Sequence, residues 1–316
     1  MSRLISLKQL HYLITLYDHQ HFGRAAAACF ISQSTLSAAI TSLEETLEAQ
    51  LLERDHKTFI FTPLGEEIVR RSRFIIEQSN DLVDYARNQG KVMQGPFYLG
   101  VIPTIAPFIL SDLQNLCQQL YPELILFIRE DTTDNVLDDL SKGKLDLVIL
   151  ALPYPTQEFK THVLCKDYFK LVLPKSWSNK GLDKEISQLP ENSIFLLEKE
   201  HCLTGHALQA CQLKESKQIN RFFATSLHTL IQMVSHQPGI TFLPNLAINS
   251  GILTGTDLVS LPLKGAHAYR EIGVAWRSTS HKKHDYTLLT KLIKQIVVAK
   301  CVDAIEKPSE HTPNIL

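Results

Sequence analysis

The sequence lacks an excess of either charge. Its 32 Lys and Arg residues and 33 Asp and Glu residues give a formal net charge of −1. A surface that attracts polyanions over most of its area needs a marked positive excess. The chain as a whole therefore lacks a predominantly positive surface. An interface with nucleic acid would have to come from basic and polar residues clustered in one region.

The sequence also lacks the long apolar segments of membrane proteins. No window reaches the roughly 20 apolar residues of a membrane-spanning helix, and residues 1–8 contain no long apolar run. We therefore expect no membrane partner and no secretory signal. The expected location is the cytoplasm, where thiols stay reduced. At 316 residues, 44% apolar and 21% charged, the chain is long enough for two or more domains with their own cores.

Metal-binding patterns are missing as well. The six cysteines include no Cys-x-x-Cys pair, and the histidines include no His-x-x-x-His pair, so we expect no metal and no cofactor. In a reducing compartment, six cysteines indicate buried or reactive thiols rather than a framework of structural disulfides.

One segment combines two cysteines with a helical pattern. Cys202 and Cys211 lie nine positions apart, His201 directly precedes the first, and Leu203 and Ala207 have helical spacing. A helix would separate the two cysteines by about 13.5 Å, at ~1.5 Å per residue, whereas a disulfide requires Cα atoms within about 7 Å. The thiols could pair only if the helix unwound, which is the behaviour of a redox switch. The alternative is that both are small core residues.

The first sixty residues are predicted to form three helices and two short strands. Apolar residues at helical spacing begin at Leu7, an alanine-rich segment starts at Phe22, and Ser32 is a candidate N-cap of a third helix. Residues 51–54 and 59–61 are expected to form the strands of a wing. This pattern is typical of a winged helix-turn-helix that reads DNA. The alternative is a small helical domain that binds protein.

Four short sequence motifs in this region point to a particular protein family. They are Phe22-Gly-Arg-Ala-Ala, Ser32-Gln-Ser-Thr-Leu-Ser, Leu51-Leu-Glu-Arg and Thr62-Pro-Leu-Gly. With them, residues 5–65 resemble the DNA-binding domain of LysR-type transcriptional regulators, and the resemblance implies that the third helix enters the major groove. The sequence departs from the family at Ser34, where proline is usual, and at Ala38, Thr41 and Ser42, where basic residues are usual.

The DNA contacts can be assigned by residue type. Because residues 1–90 contain more acidic than basic residues, one copy should bind DNA weakly, and function should depend on several copies. Hydrogen-bonding side chains on the third helix would read bases, and nearby cations would contact phosphates. The base-reading candidates are Gln33, Ser34, Thr35 and Ser37, and the phosphate candidates are Arg24, Arg54 and Lys57.

A linker helix is predicted to follow. Pro63 suits the first turn of a helix, and the apolar pairs that begin at Ile68, Ile75 and Leu82 recur every seven residues. Such a repeat favours pairing with a second copy, and packing onto the chain's own core is the alternative. The expected domains are a winged helix-turn-helix at 1–62, a dimerisation linker at 63–93 and an effector domain at 94–316.

The effector region alternates strands with helices. Strands near residues 97–102, 124–128 and 145–150 with helices between them predict an α/β fold with a parallel sheet. Ligands of such sheets lie at the carboxyl ends of the strands. Thr104 and Thr133 are expected to cap helices there and to present hydroxyls. As a whole, the region resembles a two-lobed periplasmic-binding-protein-like effector domain.

Further sequence motifs narrow the resemblance to a peroxide-sensing subgroup of the LysR-type family. They are Gly100-Val-Ile-Pro-Thr, Gly143-Lys-Leu-Asp-Leu-Val-Ile-Leu-Ala, His201-Cys-Leu with Cys211, Ala224-Thr-Ser-Leu and Gly239-Ile-Thr-Phe-Leu-Pro. The resemblance implies that Cys202 reacts with hydrogen peroxide and that Cys211 resolves the product into a disulfide. It also implies a peroxide site lined by Thr104, Thr133, His201 and Arg277. The subgroup commonly has Arg-Asp-Gln where this chain has Thr204-Gly205-His206, and a protonated His206 is a candidate replacement for the missing arginine.

Three functions compete at this point. The first is a peroxide-sensing regulator, and the second is a LysR-type regulator of a metabolic operon that binds a small anion between the lobes, near Thr104, Thr133 and Ser226. The third is a thiol peroxidase, which residues 5–62 argue against because an enzyme has no use for them. We therefore expect no enzyme. The expected partners are operator DNA, further copies of the chain and RNA polymerase.

Overall fold

The computed structural model describes residues 4–54, 59–87, 92–156, 158–178, 190–210, 217–237, 239–263, 268–280 and 282–302. The chain divides into two compact units. The first comprises Met1–Lys91 with Thr279–His281, and the second comprises Val92–Ser278 with Lys282–Leu316. Each unit has its own apolar core.

Three helices form the core of the first unit, as the sequence predicts. They are α1 (Leu7–His19), α2 (Phe22–Ala28) and α3 (Gln33–Leu47). Ser32 caps α3 by accepting a hydrogen bond from the backbone N–H of Thr35 at 3.1 Å, which satisfies one of the donors that a helix start leaves open. Leu36, Ile40 and Leu43 of α3 are fully buried.

The predicted wing is also present. Strand β1 (Leu52–Arg54) pairs antiparallel with β2 (Phe59–Phe61). The carboxylate of Glu44 accepts the backbone N–H groups of Leu51 and Leu52 at 2.7 and 3.0 Å, which fixes the wing to α3. A Cβ at Gly65 would lie 2.2 Å from the carbonyl oxygen of Leu51, so this close approach requires glycine.

Helix α4 (Pro63–Arg87) has a buried part and an exposed part along the seven-residue repeat. Near its start, Val69 and Ser72 are buried within the first unit, 3% and 1% exposed, so this part of the repeat packs on the chain's own core. Farther along, Ile75, Leu82 and Val83 are 43%, 70% and 44% exposed. These three residues form the exposed apolar segment of α4.

The second unit begins with the predicted parallel strands. Strand β3 (Gly95–Val101) pairs in parallel with β4 (Leu124–Glu130) on one side and β5 (Leu147–Leu152) on the other. Helix α5 (Ala106–Leu120) joins β3 to β4, and α6 (Thr133–Ser141) joins β4 to β5. The carboxyl ends of β3 and β5 therefore lie side by side.

Two long antiparallel strands extend this sheet. Strand β6 (Phe159–Pro174) pairs with β11 (Tyr269–Arg277), and β11 pairs with β5. The strand order is β10-β6-β11-β5-β3-β4, in which β10 is Leu258–Pro262, and β9 (Thr241–Pro244) also pairs with β6. The sheet is thus mixed, and parallel pairing is confined in it to β3, β4 and β5.

The remaining elements of this unit are α7 (Lys175–Ser178), β7 (Ile194–Leu197), α8 (Cys202–Ala210), β8 (Ile219–Ala224), α9 (Leu227–His236), β9 (Thr241–Pro244), α10 (Asn245–Asn249), β10 (Leu258–Pro262) and α11 (Lys283–Cys301). Strands β7 and β8 form a separate parallel pair. Among the described residues, no single helix is long and apolar enough to cross a membrane, although α2 and α3, bent by 99°, pass that test of length and composition as a pair.

The exposed segment of α4 generates a prediction about assembly. Glutamate at both Ile75 and Leu82 should lower the molecular mass measured by light scattering, because charge cannot be buried against a second apolar helix. The matched control places glutamate at Leu4 and Phe30, which are 90% and 95% exposed. An unchanged mass in the Ile75→Glu, Leu82→Glu protein would exclude this segment from the interface.

Candidate functional site

The polar face of α3 carries the predicted base-reading residues. Gln33, Ser34 and Thr35 are exposed, and Ser37 is half-buried. The hydroxyls of Ser34 and Thr35 lie 2.9 and 2.7 Å from that of Ser32, so the helix start is ordered by its own side chains. The face is neutral, and any attraction to phosphate must come from residues around it.

The three predicted phosphate contacts differ in placement. Arg24 is exposed on α2 and donates to the carbonyl oxygen of His19 at 3.0 Å. Arg54 ends β1, opposite Phe59. Lys57 lies outside the described residues.

In the second unit, Cys202 is the first residue of α8, which confirms the predicted helix after the first cysteine. Nine residues are helical, so Cys202 and Ala210 are separated by about 12 Å along the axis at ~1.5 Å per residue. A thiolate at a helix start is stabilised by the unpaired N–H groups there. Cys211 follows directly and lies outside the described residues.

Cys202 is half-buried and lies near the carboxyl end of β5. The hydroxyl of Tyr154, just beyond β5, donates to Asp134 in the first turn of α6 at 2.6 Å. Burial raises the pKa of Tyr154 to about 12, and the carboxylate of Asp134 and the neighbouring Cys202 add to that rise. Cys202 thus lies within electrostatic range of Tyr154, whose hydroxyl joins the end of β5 to the start of α6.

His206 lies one helical turn after Cys202 and is buried, 9% exposed. Its Nε2 is 3.0 Å from the carbonyl oxygen of Pro153, and its Nδ1 has no hydrogen-bond partner among the described residues. Burial lowers the pKa of His206 below its usual 6.5, and the charge of Arg270 lowers it further. The imidazole is therefore neutral at neutral pH, which opposes the predicted role of a protonated His206 as a substitute for arginine.

A buried arginine organises the other side of the site. Arg270 of β11 is fully buried; its Nε donates to Asp167 of β6 at 3.0 Å and its Nη1 to the hydroxyl of Thr104 at 2.8 Å. Its Nη2 also donates to the carbonyl oxygen of Thr104 at 3.2 Å. Thr104 does not cap α5, whose N-cap is Ile105 and which has no side-chain cap. The expected capping role of Thr104 is wrong because Arg270 holds its hydroxyl instead.

The remaining predicted site residues are spread around this centre. Thr133 is buried at the first position of α6 but does not cap it, since the N-cap is Thr132 and no side chain caps the helix. His201 is half-buried immediately before α8. Arg277 donates to the carbonyl oxygen of Leu140 at 2.6 Å and also to that of Leu145. The structure therefore places Arg277 at the end of α6 and a different arginine at Thr104.

The sequence did not predict Arg270 as a site residue, because its neighbours Tyr269 and Glu271 are polar or partly polar and suggested an exposed strand. A signal was nonetheless present. Residues two apart on a strand share a face, and Arg270 precedes the buried Ile272 by two positions. Among the described residues no group of three or more His, Cys, Asp or Glu side chains is placed to hold a metal ion.

Comparison with known families agrees with this architecture. The model described as the LysR substrate binding domain matches residues 90–295, and the bacterial regulatory helix-turn-helix model of the lysR family matches residues 7–66. The chain belongs to the LysR family of transcriptional regulators. Its α/β effector unit and its winged helix-turn-helix are the two parts of that family's architecture, and the resemblance noted from the sequence is confirmed.

Three relatives indicate where this LysR-family chain falls. It is 37% identical to the HTH-type transcriptional regulator EstR of Acinetobacter baylyi, over 94% of this chain and 98% of that protein. It is 34% identical to the DNA-binding transcriptional dual regulator OxyR of Escherichia coli, over 92% and 95% of the two chains. The reduced regulatory domain of OxyR2 from Vibrio vulnificus is 44% identical and covers 65% of this chain and 97% of that domain, with a TM-score of 0.63.

Proposed function

We propose that this LysR-family protein is a cytoplasmic transcriptional regulator that hydrogen peroxide switches through a disulfide between Cys202 and Cys211. The observation that carries the proposal is the position of Cys202. It is half-buried at the start of a helix, next to Tyr154 and one turn from a buried histidine. The similarity of the effector domain to OxyR2 supports the same function.

The chemistry requires two steps. The thiolate of Cys202 attacks one peroxide oxygen, the O–O bond breaks, and Cys202 becomes a sulfenic acid. The departing hydroxide takes up the proton that the thiol had released and leaves as water. The thiol of Cys211 then attacks the Cys202 sulfur, the S–S bond forms, and a second water leaves. The sulfur pair loses two electrons per peroxide molecule.

We expect disulfide formation to require α8 to unwind. Residues nine positions apart in a helix are separated by well more than the ~7 Å that a disulfide spans, and Leu203 and Ala207 of α8, both 2% exposed, pack in the core. In the chain-entropy model, closing this short loop lowers the entropy of the unfolded chain and so favours the compact oxidised form by about 2–3 kcal/mol. The rebuilt packing around Leu203 is the signal that reaches other copies of the chain and, through them, the spacing of the DNA-binding units.

The partners in this proposal are operator DNA, which α3 reads, further copies of the chain, which meet through α4 and the effector domains, and RNA polymerase. Because the DNA-binding unit is not basic, several units must bind together. The switch therefore acts on an assembly and not on a single chain.

A regulator of a metabolic operon is the second candidate, and similarity to EstR over the full chain favours it. A small anion would need an unpaired cation or an open helix start. Arg270 is already paired with Asp167 and Thr104, and Ser226 occupies the start of α9 by accepting from Thr229 N–H at 3.2 Å. These two observations favour peroxide, whereas the starts of α5 and α6, which no side chain caps, remain available to an anion.

The proposal predicts a defined covalent product. Full-length protein treated with equimolar hydrogen peroxide should show, by mass spectrometry, a peptide in which Cys202 and Cys211 are linked. The Cys211→Ser protein should stop at a sulfenic acid on Cys202, and Cys202→Ser should leave Cys211 reduced. The Cys117→Ser protein is the matched control, because burial raises the pKa of that thiol to about 11 and keeps it unreactive. Free thiols at both positions in the treated wild type would contradict the proposal.

Gly205 provides a graded test of helix unwinding. It lies within α8, and an added Cβ would meet no atom within 4 Å. Alanine should therefore stabilise the reduced helix by roughly 0.5–1 kcal/mol. That corresponds to a decrease of about two- to fivefold in the equilibrium constant for the disulfide, measured in dithiothreitol redox buffers.

The control for Gly205→Ala is Asn115→Ala, which raises helix propensity on the exposed face of α5. It should leave the disulfide equilibrium unchanged. Identical equilibrium constants for Gly205→Ala and the wild type would show that oxidation does not require α8 to unwind.

A further inference from the structure

The hydrogen bond of His206 fixes which of its nitrogens carries the proton. The carbonyl oxygen of Pro153, 3.0 Å from Nε2, can only accept a hydrogen bond. Nε2 of the neutral ring must therefore be the N–H donor, and Nδ1 must present a lone pair. That lone pair is buried and has no partner among the described residues, which is costly unless something donates to it.

His206 and Cys202 lie on one face of α8. Residues four apart lie on the same face of a helix, and helical side chains lean toward the N-terminus over the preceding turn. His206 is four residues after Cys202 on α8. The ring of His206 also contacts Pro153, and the next residue, Tyr154, lies within electrostatic range of Cys202.

The charged and titratable groups around His206 keep its ring neutral. Burial has the largest effect on the pKa of His206 and lowers it; the hydrogen bond to the Pro153 carbonyl raises it by less, and the charge of Arg270 on β11 lowers it by a still smaller amount. Tyr154 follows Pro153 in the chain, and Cys202 lies on the same helix. A neutral ring with a free lone pair is ready to accept a proton.

We propose that His206 is the proton acceptor for Cys202, taking the thiol proton on Nδ1 as the sulfur attacks peroxide. The S–O bond forms as the O–O bond breaks, and the imidazolium returns the proton to the departing hydroxide, which leaves as water. Sulfur is oxidised by two electrons and the peroxide oxygens are reduced. This role rests on the proposed peroxide function.

Thr104 is the second group of this proposal. Its hydroxyl oxygen accepts from Arg270 Nη1 at 2.8 Å, and the hydroxyl keeps a hydrogen that it can donate. In the proposed reaction, the Thr104 hydroxyl donates to the bound hydroperoxide and Nδ1 of His206 is the acceptor. A hydroperoxide suits such a pair because it both donates and accepts.

The test is a pH profile of Cys202 oxidation. In a full-length Cys211→Ser background, the rate of sulfenic acid formation is measured by dimedone trapping and mass spectrometry between about pH 5 and pH 9. With His206 as acceptor, the rate should stay nearly constant from the lowered pKa of His206 up to that of the thiol, and it should fall below the former as the ring becomes protonated. In His206→Gln the rate should instead follow thiolate alone and rise about tenfold per pH unit.

Two controls separate this role from packing. His228→Gln and His236→Gln each remove an exposed histidine of α9, and both should retain the flat region. If His206→Gln does not fold, His206→Asn serves, since it keeps an amide near the Nδ1 position. A flat region that persists without His206, or that disappears in either control, would overturn the inference.

Iodoacetamide alkylation of Cys202 gives an independent reading, because it follows the same proton transfer without peroxide. If peroxide fails to oxidise the wild type while alkylation retains its His206-dependent flat region, the peroxide function is wrong and the role of His206 stands. If oxidation proceeds but neither profile depends on His206, the reverse holds.

Discussion

A fully buried guanidinium requires neutralisation and a partner for every donor, and this requirement fixes the arrangement around the candidate site. Arg270 pairs with Asp167 on the adjacent strand and donates to both oxygens of Thr104, and these three hydrogen bonds use its Nε, Nη1 and Nη2. Asp167 also accepts the backbone N–H of Leu246 at 2.9 Å. One ion pair thereby connects β6, β11, the segment before α5 and the start of α10. Breaking such a pair would leave a buried charge at a cost of about 3–5 kcal/mol, so this part of the site is rigid.

Helix α8 is held less firmly than that ion pair. The hydroxyl of Thr204 donates to the carbonyl oxygen of Leu197 at 2.8 Å, and His206 contacts Pro153. Gly205 between them weakens the helix without relieving any clash. A conformational switch needs one part that stays fixed and one part that is only weakly stable. Here the ion pair that positions Thr104 is the fixed part, and helix α8, which carries Cys202, is the weakly stable part. In the proposed mechanism, oxidation unwinds α8, whereas Asp167, Arg270 and Thr104 keep their positions.

Local signals in the sequence were sufficient for much of this fold. The helix-turn-helix, its Ser32 cap, the parallel βαβαβ start and the helix after Cys202 follow from periodicity and capping residues that act over a few positions. Long-range pairings were not predictable in the same way. Arg270 finds Asp167 across 103 positions, and only the strand register brings them together. Thr104 was predicted to cap α5 because a helix start usually takes the nearest hydroxyl, but a buried arginine competes more strongly for it. The seven-residue repeat was sufficient to predict helix α4. It did not indicate which part of that helix would be buried against the rest of the first unit.

The central claim is that oxidation of Cys202 changes how the protein contacts DNA. The most direct measurement is a footprint of upstream DNA with full-length protein, reduced and peroxide-treated, for the wild type and for Cys202→Ser. We expect the protected region of the wild type to change length or position after treatment, and that of Cys202→Ser to stay as in the reduced form. An identical wild-type footprint in both states, or a footprint that shifts with a small anion while both thiols remain free, would contradict the account.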